Sequence, residues 1–191
     1  MDERTDDRLV EEHLAGSATA FAELVRRYGR RAANLAYRML GNAEDVEEVC
    51  QEAFLRAHQK IGELRRAGSF FPWFFSIVLN LCRERLRVRQ RATARIAGRR
   101  GDVGGEVSVT RLADDSAADA WEAMHEEELR RALEEALGAL PTRYRQVIVL
   151  RCYEGLSYTE MARVLKCRKR TVRWRLYRAR QMLRGHLKGF A

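Results

Sequence analysis

Apolar residues return along this chain every three or four positions, the period of an amphipathic helix, over most of its length. In FAELVRRYGRRAANLAYRML, Phe21, Leu24, Val25, Tyr28, Leu35 and Leu40 supply one apolar face, and Gly41-Asn42 stops the run. Thr5 or Asp6 can cap a short helix before it, ending near Gly16, and Ser17 can cap the long one. A third helix is predicted from about Ala43 to Ile61, with Val46, Val49, Cys50, Ala53, Phe54, Ala57 and Ile61 as its buried stripe. GELRRAGS reads as a loop. FFPW then opens a fourth helix, where Pro72 fits a first-turn position, and that helix runs to about Arg91.

The stripe disappears over residues 98–118, GRRGDVGGEVSVTRLADDSAA, where glycine, serine and aspartate accumulate. So long a structureless connection inside one compact unit is unusual, so it predicts a flexible linker between a domain at 1–97 and a domain at 119–191. Helical spacing resumes in WEAMHEEELRRALEEALGAL. Pro141 begins another helix, TRYRQVIVLRCYE, which Gly155 ends. LSYTEMARVLK is a short helix whose Ser157 and Glu160 have the spacing of a capping box. In the final segment, Val172, Leu176, Ala179 and Leu183 line one narrow stripe, which a disordered basic tail would not keep. With only two prolines and almost no strand-like alternation, the predicted fold class is all-α, with two helical domains.

Charge divides the chain in the same way. Residues 1–100 carry 19 basic and 14 acidic groups, a net +5; residues 101–127 carry 1 and 8, a net −7; residues 128–191 carry 16 and 5, a net +11. A basic C-terminal block beside an acidic middle suggests a nucleic-acid partner. The opening MDERTDDRLV has none of the basic–apolar–small order of a secretory signal, which predicts a cytoplasmic protein. The longest apolar run is broken by Asn80 and is too short to span a bilayer, so no membrane insertion is expected. Cys50, Cys82, Cys152 and Cys167 form no C-x-x-C pair and no histidine clusters near them in sequence; they read as reduced, mostly buried thiols. H-E-x-x-H, G-x-S-x-G and a Walker loop are all lacking, and GDVGGE has no following Lys-Ser/Thr. No catalytic residue, metal or cofactor is expected.

Three constellations remain. In SYTEMARVLKCRKRTVRWRL, a short helix, a tight turn and a basic helix follow the helix-turn-helix pattern, Met161, Ala162 and Leu165 packing on Val172 and Leu176. The far face of the second helix holds Arg170, Arg173, Trp174, Tyr177, Arg178 and Gln181, a set suited to phosphates and base edges. The alternative is an ordinary helical hairpin with its rings on a neighbour; charge and exposed aromatics favour DNA. In SFFPWFFSIVLNLCRERLRVRQR, five aromatics within Phe70–Phe75 precede Arg83, Arg85, Arg87, Arg89 and Arg91. Rings beside a cationic track suit single-stranded DNA, although Trp73, Phe74, Ile77, Val78 and Leu81 read mostly as core. Third, Glu44, Glu48, Gln51, Glu52 and Leu55 gather opposite the stripe of the third helix. That acidic face is either solvated or docks a basic protein surface; propensity favours the first.

With those motifs in place, nearly the whole chain resembles a group IV (extracytoplasmic-function, ECF) sigma factor of bacterial RNA polymerase, in the sigma-70 family. AFAELVRRY, GNAEDVEEVCQEAFLRAHQKI and FFPWFFSIVLNLCRERLR resemble the region-two block; ALPTRYRQVIVLRCYEGLSYTEMARVL and TVRWRLYRARQMLR resemble the region-four block. The resemblance implies that Asp45, Glu48, Gln51, Glu52, Phe54 and Leu55 dock on the clamp helices of the polymerase largest subunit, which reverses the solvated reading. It implies that Arg65, Arg66, Ser69, Trp73, Asn80, Arg83 and Arg87 open and hold the −10 element, and that Arg170, Thr171, Arg173, Trp174, Tyr177 and Arg178 read the −35 element. The linker would thread the RNA exit path, the flap of the second-largest subunit would be a further contact, and an anti-sigma factor is an expected partner. Such a protein is not an enzyme; it binds core polymerase, recognises promoter DNA and promotes melting and initiation.

Two departures from the family pattern stand out. The turn before the last helix, often Pro-x-Gly-Thr, reads Arg168-Lys169-Arg170-Thr171, and Trp174 stands where serine is usual. They imply an altered −35 preference. Rival readings are a stand-alone helix-turn-helix regulator, which leaves the acidic helix without a role, a sigma-like decoy that binds core or an anti-sigma factor without initiating, and a nuclease, which would need a carboxylate cluster for metal.

Overall fold

The computed structural model describes residues 4–64, 70–97 and 120–188. Among the described residues eight α-helices run in order: α1 Asp6–Leu14, α2 Ala18–Leu40, α3 Ala43–Lys60, α4 Phe70–Ala97, α5 Ala120–Ala139, α6 Thr142–Ile148, α7 Tyr158–Val164 and α8 Lys169–His186. A 3₁₀ turn, Ile61–Glu63, follows α3, and no strand occurs among the described residues. The predicted linker at 98–118 lies outside them.

Helix ends follow local chemistry. Thr5, not Asp6, caps α1, its hydroxyl accepting the Arg8 N–H at 3.3 Å. Asp6 instead accepts from Arg27 at 2.5 Å and from the Tyr28 hydroxyl, which ties α1 to α2. Ser17 stands at the start of α2 without a capping bond, its hydroxyl 3.1 Å from that of Thr19. Gly41 ends α2 in the left-handed conformation at φ 75°, and the Asn42 side chain caps α3 through the Asp45 N–H at 2.9 Å. The capping box of α7 forms in both directions, at 3.3 and 2.8 Å. The fourth helix extends past Arg91 to Ala97, because nothing after Arg91 in RATARIA breaks a helix.

The segment predicted as one helix from Pro141 to Glu154 is not uniformly α-helical. After Ile148 it widens into a π-helical turn, Val149–Tyr153, before Gly155 closes it at φ 69°. Hydrophobic spacing cannot reveal such a turn, since it adds one residue without changing the apolar composition.

Leu9, Leu24, Leu35, Met39, Phe70, Phe74, Phe75 and Leu79 fill the core of the N-terminal four-helix unit, and Leu140, Val147, Leu150, Met161, Val172 and Leu176 that of the C-terminal one. Each buried phenylalanine contributes about 1.5–3 kcal/mol. The two sets join in one continuous cluster, with α4 against α7 and α2 against α5, α6 and the π turn. Of the cysteines, all free, only Cys82 is fully buried; Cys50 and Cys167 are half-buried and Cys152 is exposed, because its position in the π turn faces away from the helices that turn packs on. Burial raises the thiol of Cys50 to about 11 and that of Cys82 to about 12.

Candidate nucleic-acid interface

The recognition helix predicted from sequence is α8. Val172, Leu176 and Ala179 are buried and Leu183 half-buried, so α8 sits against α6 and α7 with its opposite face outward. Arg170, Arg173, Trp174, Tyr177 and Arg178 are exposed, and Thr171 is half-buried. Trp174 and Tyr177 keep 54% and 60% of their surface open, a large cost for aromatics unless a partner covers them. Tyr158 of α7, which sequence reasoning did not single out, lies under the Arg173 guanidinium at 5.8 Å and beside that of Arg151 at 5.4 Å. No acidic residue stands in the first turn of α8, which begins Arg168-Lys169-Arg170. Positive side chains at the positive end of the helix dipole oppose folding locally and favour a phosphate there.

The turn before α8 differs from the expectation. Arg170 lies inside the helix, whose N-cap is Arg168. The left-handed residue is Lys166, at φ 48°, within hydrogen bonds from Lys166 N–H to Arg163 O and from Cys167 N–H to Ala162 O. The backbone freedom that glycine supplies is therefore needed at 166, not at 170.

On α4, the aromatics divide. Phe70, Phe74 and Phe75 are wholly buried, Trp73 is half-buried against Phe70, and Phe71 lies under the Arg31 guanidinium at 4.5 Å. Asn80 and Arg87 are exposed, and the Asn80 amide oxygen accepts from Arg83 at 2.7 Å. The second arm of Arg83 donates to Gln146 of α6 at 2.8 Å. Burial, then the neighbouring Arg175 and Arg87, hold the Arg83 guanidinium below its usual pKa. Arg65, Arg66 and Ser69 lie outside the described residues.

The arginine ladder is not one track. At 100° per residue, positions two apart face opposite ways. Arg83, Arg87 and Arg91 share one side of α4, whereas Arg85 and Arg89 turn to α3. Arg85 pairs with Glu48 and lies 3.6 Å from Asp45, and Arg89 pairs with Asp45 and donates to Leu40 O at 3.2 Å.

Those pairs also sort the six α3 candidates. Asp45 is buried, held by Arg89, Arg85 and the Asn42 amide at 3.0 Å. Phe54 is half-buried, its ring 4.6 Å from that of Phe74. Glu48, Gln51, Glu52 and Leu55 line an open groove of about 560 Å³ between α3 and α4, with Leu81 and Val88 on its other wall. Leu55 and Val88 are 53% and 60% exposed, an apolar strip rimmed by Glu48 and Glu52, which pair with Arg85 and Arg56 on the same rim. Among the described residues no group of three or more His, Cys, Asp or Glu could hold a metal ion, and no helix is long and apolar enough to cross a membrane.

Comparison with known proteins finds two matching families. The family model for Sigma-70 region 2 covers residues 24–92, and that for Sigma-70, region 4 covers residues 130–183. The RNA polymerase sigma-H factor of Pseudomonas aeruginosa is 31% identical over 189 residues, 96% of this chain and 94% of its own. The ECF RNA polymerase sigma factor SigW of Bacillus subtilis is 32% identical over 176 residues, 91% of each chain. Among solved structures, CnrH in complex with the cytosolic domain of CnrY is similar with a TM-score of 0.69 and 27% identity, covering 98% of this chain and 100% of that one. With a region-two match over the N-terminal bundle, a region-four match over the helix-turn-helix, and curated relatives 31–32% identical over nine-tenths of the chain, this chain belongs to the sigma-70 family, as a group IV (ECF) sigma factor.

Proposed function

We propose that this sigma factor divides its work by face: the α3–α4 groove docks on core RNA polymerase, one side of α4 holds the opened −10 strand, and α8 reads −35. As an ECF sigma factor it binds core, recognises promoter DNA and supports melting and initiation, and it is an initiation subunit, not an enzyme. The observation that carries the assignment is the outward face of α8, with Arg173, Trp174, Tyr177 and Arg178 open together. Arginine supplies bidentate bonds to guanine and the rings supply contacts to thymine methyls and sugars.

The groove supports the docking role through Glu48, Gln51, Glu52 and Leu55, with Asp45 and Phe54 acting indirectly by fixing α3 on α4. The clamp helices of the largest subunit are the proposed partner, and the flap of the second-largest subunit a second one. On α4, Asn80, Arg83 and Arg87 are assigned to the −10 strand with Trp73, and Arg65, Arg66 and Ser69 as the loop before them; extruding a base costs a few kcal/mol. The functional units are 1–97 and 119–191, with 98–118 between them. A cytoplasmic location fits a polymerase subunit. An anti-sigma factor is a further proposed partner; the similar CnrH was solved in complex with another protein, the cytosolic domain of CnrY.

In vitro transcription with bacterial core polymerase and a randomised promoter pool tests the reading. Enriched starts with paired −10 and −35 elements are expected. Binding to core with no enriched promoter would favour the decoy, and no binding at all would overturn the assignment.

A further inference from the structure

Two of the chain's four histidines meet at a corner of the N-terminal bundle, although 45 positions separate them in sequence. His13 stands in the last turn of α1 and His58 in the last turn of α3. Their ring centroids lie 5.0 Å apart, with the planes at 59°. Phe21 of α2 flanks both rings, at 5.2 Å from His13 and 5.0 Å from His58. His58 is exposed and His13 half-buried. The Nδ1 of His13 is shut off from solvent and has no hydrogen-bond partner among the described residues.

Packing on Phe21 accounts for two rings at this corner but not for the sealed nitrogen. An imidazole nitrogen carries either a proton or a lone pair, and burying it unmatched costs free energy. A phenylalanine at 13 would make the same ring contacts without that cost. The spacing of the rings has its own meaning. A Zn–N bond of about 2.0–2.1 Å, extended by about 1.1 Å to each ring centre, sets two coordinated imidazoles about 5 Å apart at the tetrahedral angle. The observed separation matches that value. Charge agrees as well. Both α1 and α3 end at this corner, and the negative ends of their dipoles favour a cation.

We propose that His13 and His58 together bind one divalent transition-metal ion of the zinc and copper class, with water completing its coordination. Imidazole is the ligand suited to those metals. No further His, Cys, Asp or Glu joins the pair to make a group of three among the described residues, so the site is open and exchangeable, unlike a closed four-ligand structural site. The exposed His58 ring leaves a way in from solvent. The ion would tie the end of α1 to the end of α3. Those ends already touch through the 3₁₀ turn, where a Cβ on Gly62 would lie 3.8 Å from the Leu14 Cδ2. Metal supply would thus set how firmly α1 is held on the bundle. Neither ligand belongs to the groove or to the promoter faces, so the site stands or falls apart from those assignments.

The test uses the full chain, stripped with a chelator and titrated with zinc chloride or copper sulfate. Calorimetry gives stoichiometry and affinity, and thermal melting gives the effect on stability. Because the exposed Cys152 is a competing ligand, every protein carries Cys152→Ser. His13→Phe and His58→Phe keep a ring beside Phe21 and remove the ligand atoms. His58 is exposed, so its replacement tests coordination without opening the core. The parent protein should bind one ion, copper more tightly than zinc. Metal at 100 times its Kd should raise the thermal midpoint by about 5–10 °C. Each phenylalanine variant should weaken binding at least about tenfold and lose that rise. Copper(II) on the parent protein should show hyperfine splitting from imidazole nitrogen in its electron paramagnetic resonance spectrum, and either variant should lose it. A parent midpoint that neither ion moves, metal binding that neither variant weakens, or bound copper without nitrogen splitting would each overturn the site.

Discussion

The Trp174 indole of α8 leans on Tyr144 of α6, ring centroids 6.0 Å apart at 50°, while Tyr144 is buried and half the indole stays in solvent. The ring is held in place without being part of the core. Such a pair contributes about 0.5–1.5 kcal/mol. Trp174→Ser should therefore lower the thermal midpoint by only a few degrees, as about 1 kcal/mol does for a domain of this size. Promoter choice should change more. Selection on templates randomised at −35 should show a different preferred base at one or two positions, by roughly tenfold for a contact of 1–3 kcal/mol. An unchanged −35 preference would remove Trp174 from the reading surface.

Leu55 and Phe54 are neighbours with opposite roles. Leu55→Asp sits on the open groove and should leave the melting curve almost unchanged while weakening association with core polymerase at least tenfold, a loss of about 1.4 kcal/mol. Phe54→Ala removes a half-buried ring packed on Phe74 and should cost about 3 kcal/mol of stability, the low end of the range for truncating a phenylalanine to alanine. Denaturant melts paired with core-binding titrations distinguish the two. Equal losses of stability would mean that the groove is packing and not a docking surface.

Glycine should have contrary effects at two nearby positions. Lys166→Gly relieves a left-handed residue and should be neutral or stabilise by up to about 1 kcal/mol. Arg170→Gly stands in the first turn of α8 and should destabilise by about 0.5–1 kcal/mol, although it restores the residue the family often carries there. Urea unfolding of the two variants checks the sign of each.

Tyr28 makes stability sensitive to alkali. Burial first, and then its bond to the Asp6 carboxylate, raise the hydroxyl well above its ordinary value. The folded state thus holds this proton more tightly than the unfolded chain does, whose tyrosines titrate near about 10. The contribution is fully present below that pH and is lost as pH rises toward the folded value. Urea midpoints should fall between about pH 10 and 12, and Tyr28→Phe should flatten that fall while costing something at neutral pH through the lost bond to Asp6. A native midpoint that is level across this window would contradict the assignment.

Helices, their order and their apolar faces were legible in the sequence because the information is local. A stripe such as Val172, Leu176, Ala179 and Leu183 needs only the 100° step between residues. Caps such as Ser157 with Glu160 need only three. The family motifs and the outward face of α8 were legible for the same reason, since the far side of an apolar stripe is open wherever nothing else packs on it. Lys166 was missed because a left-handed lysine has no signature of its own, and the π turn because one inserted residue changes direction, not composition.

The sequence by itself therefore determined a two-part helical sigma factor and the type of chemistry on each face. Tertiary structure decided which charges remain available. Glu48 and Asp45 look alike in AEDVEEV, yet Glu48 pairs with Arg85 at the open rim of a groove while Asp45 is buried under Arg89, a residue 44 positions on. Arg83 and Arg85 look alike in RERLR, yet one bridges Asn80 to Gln146 and the other turns to α3. Arg31 finds Glu154 across 123 residues. Periodicity encodes the direction in which a side chain leaves its own helix, but an ion pair depends on what another helix brings to meet it, and only packing of the whole chain sets that.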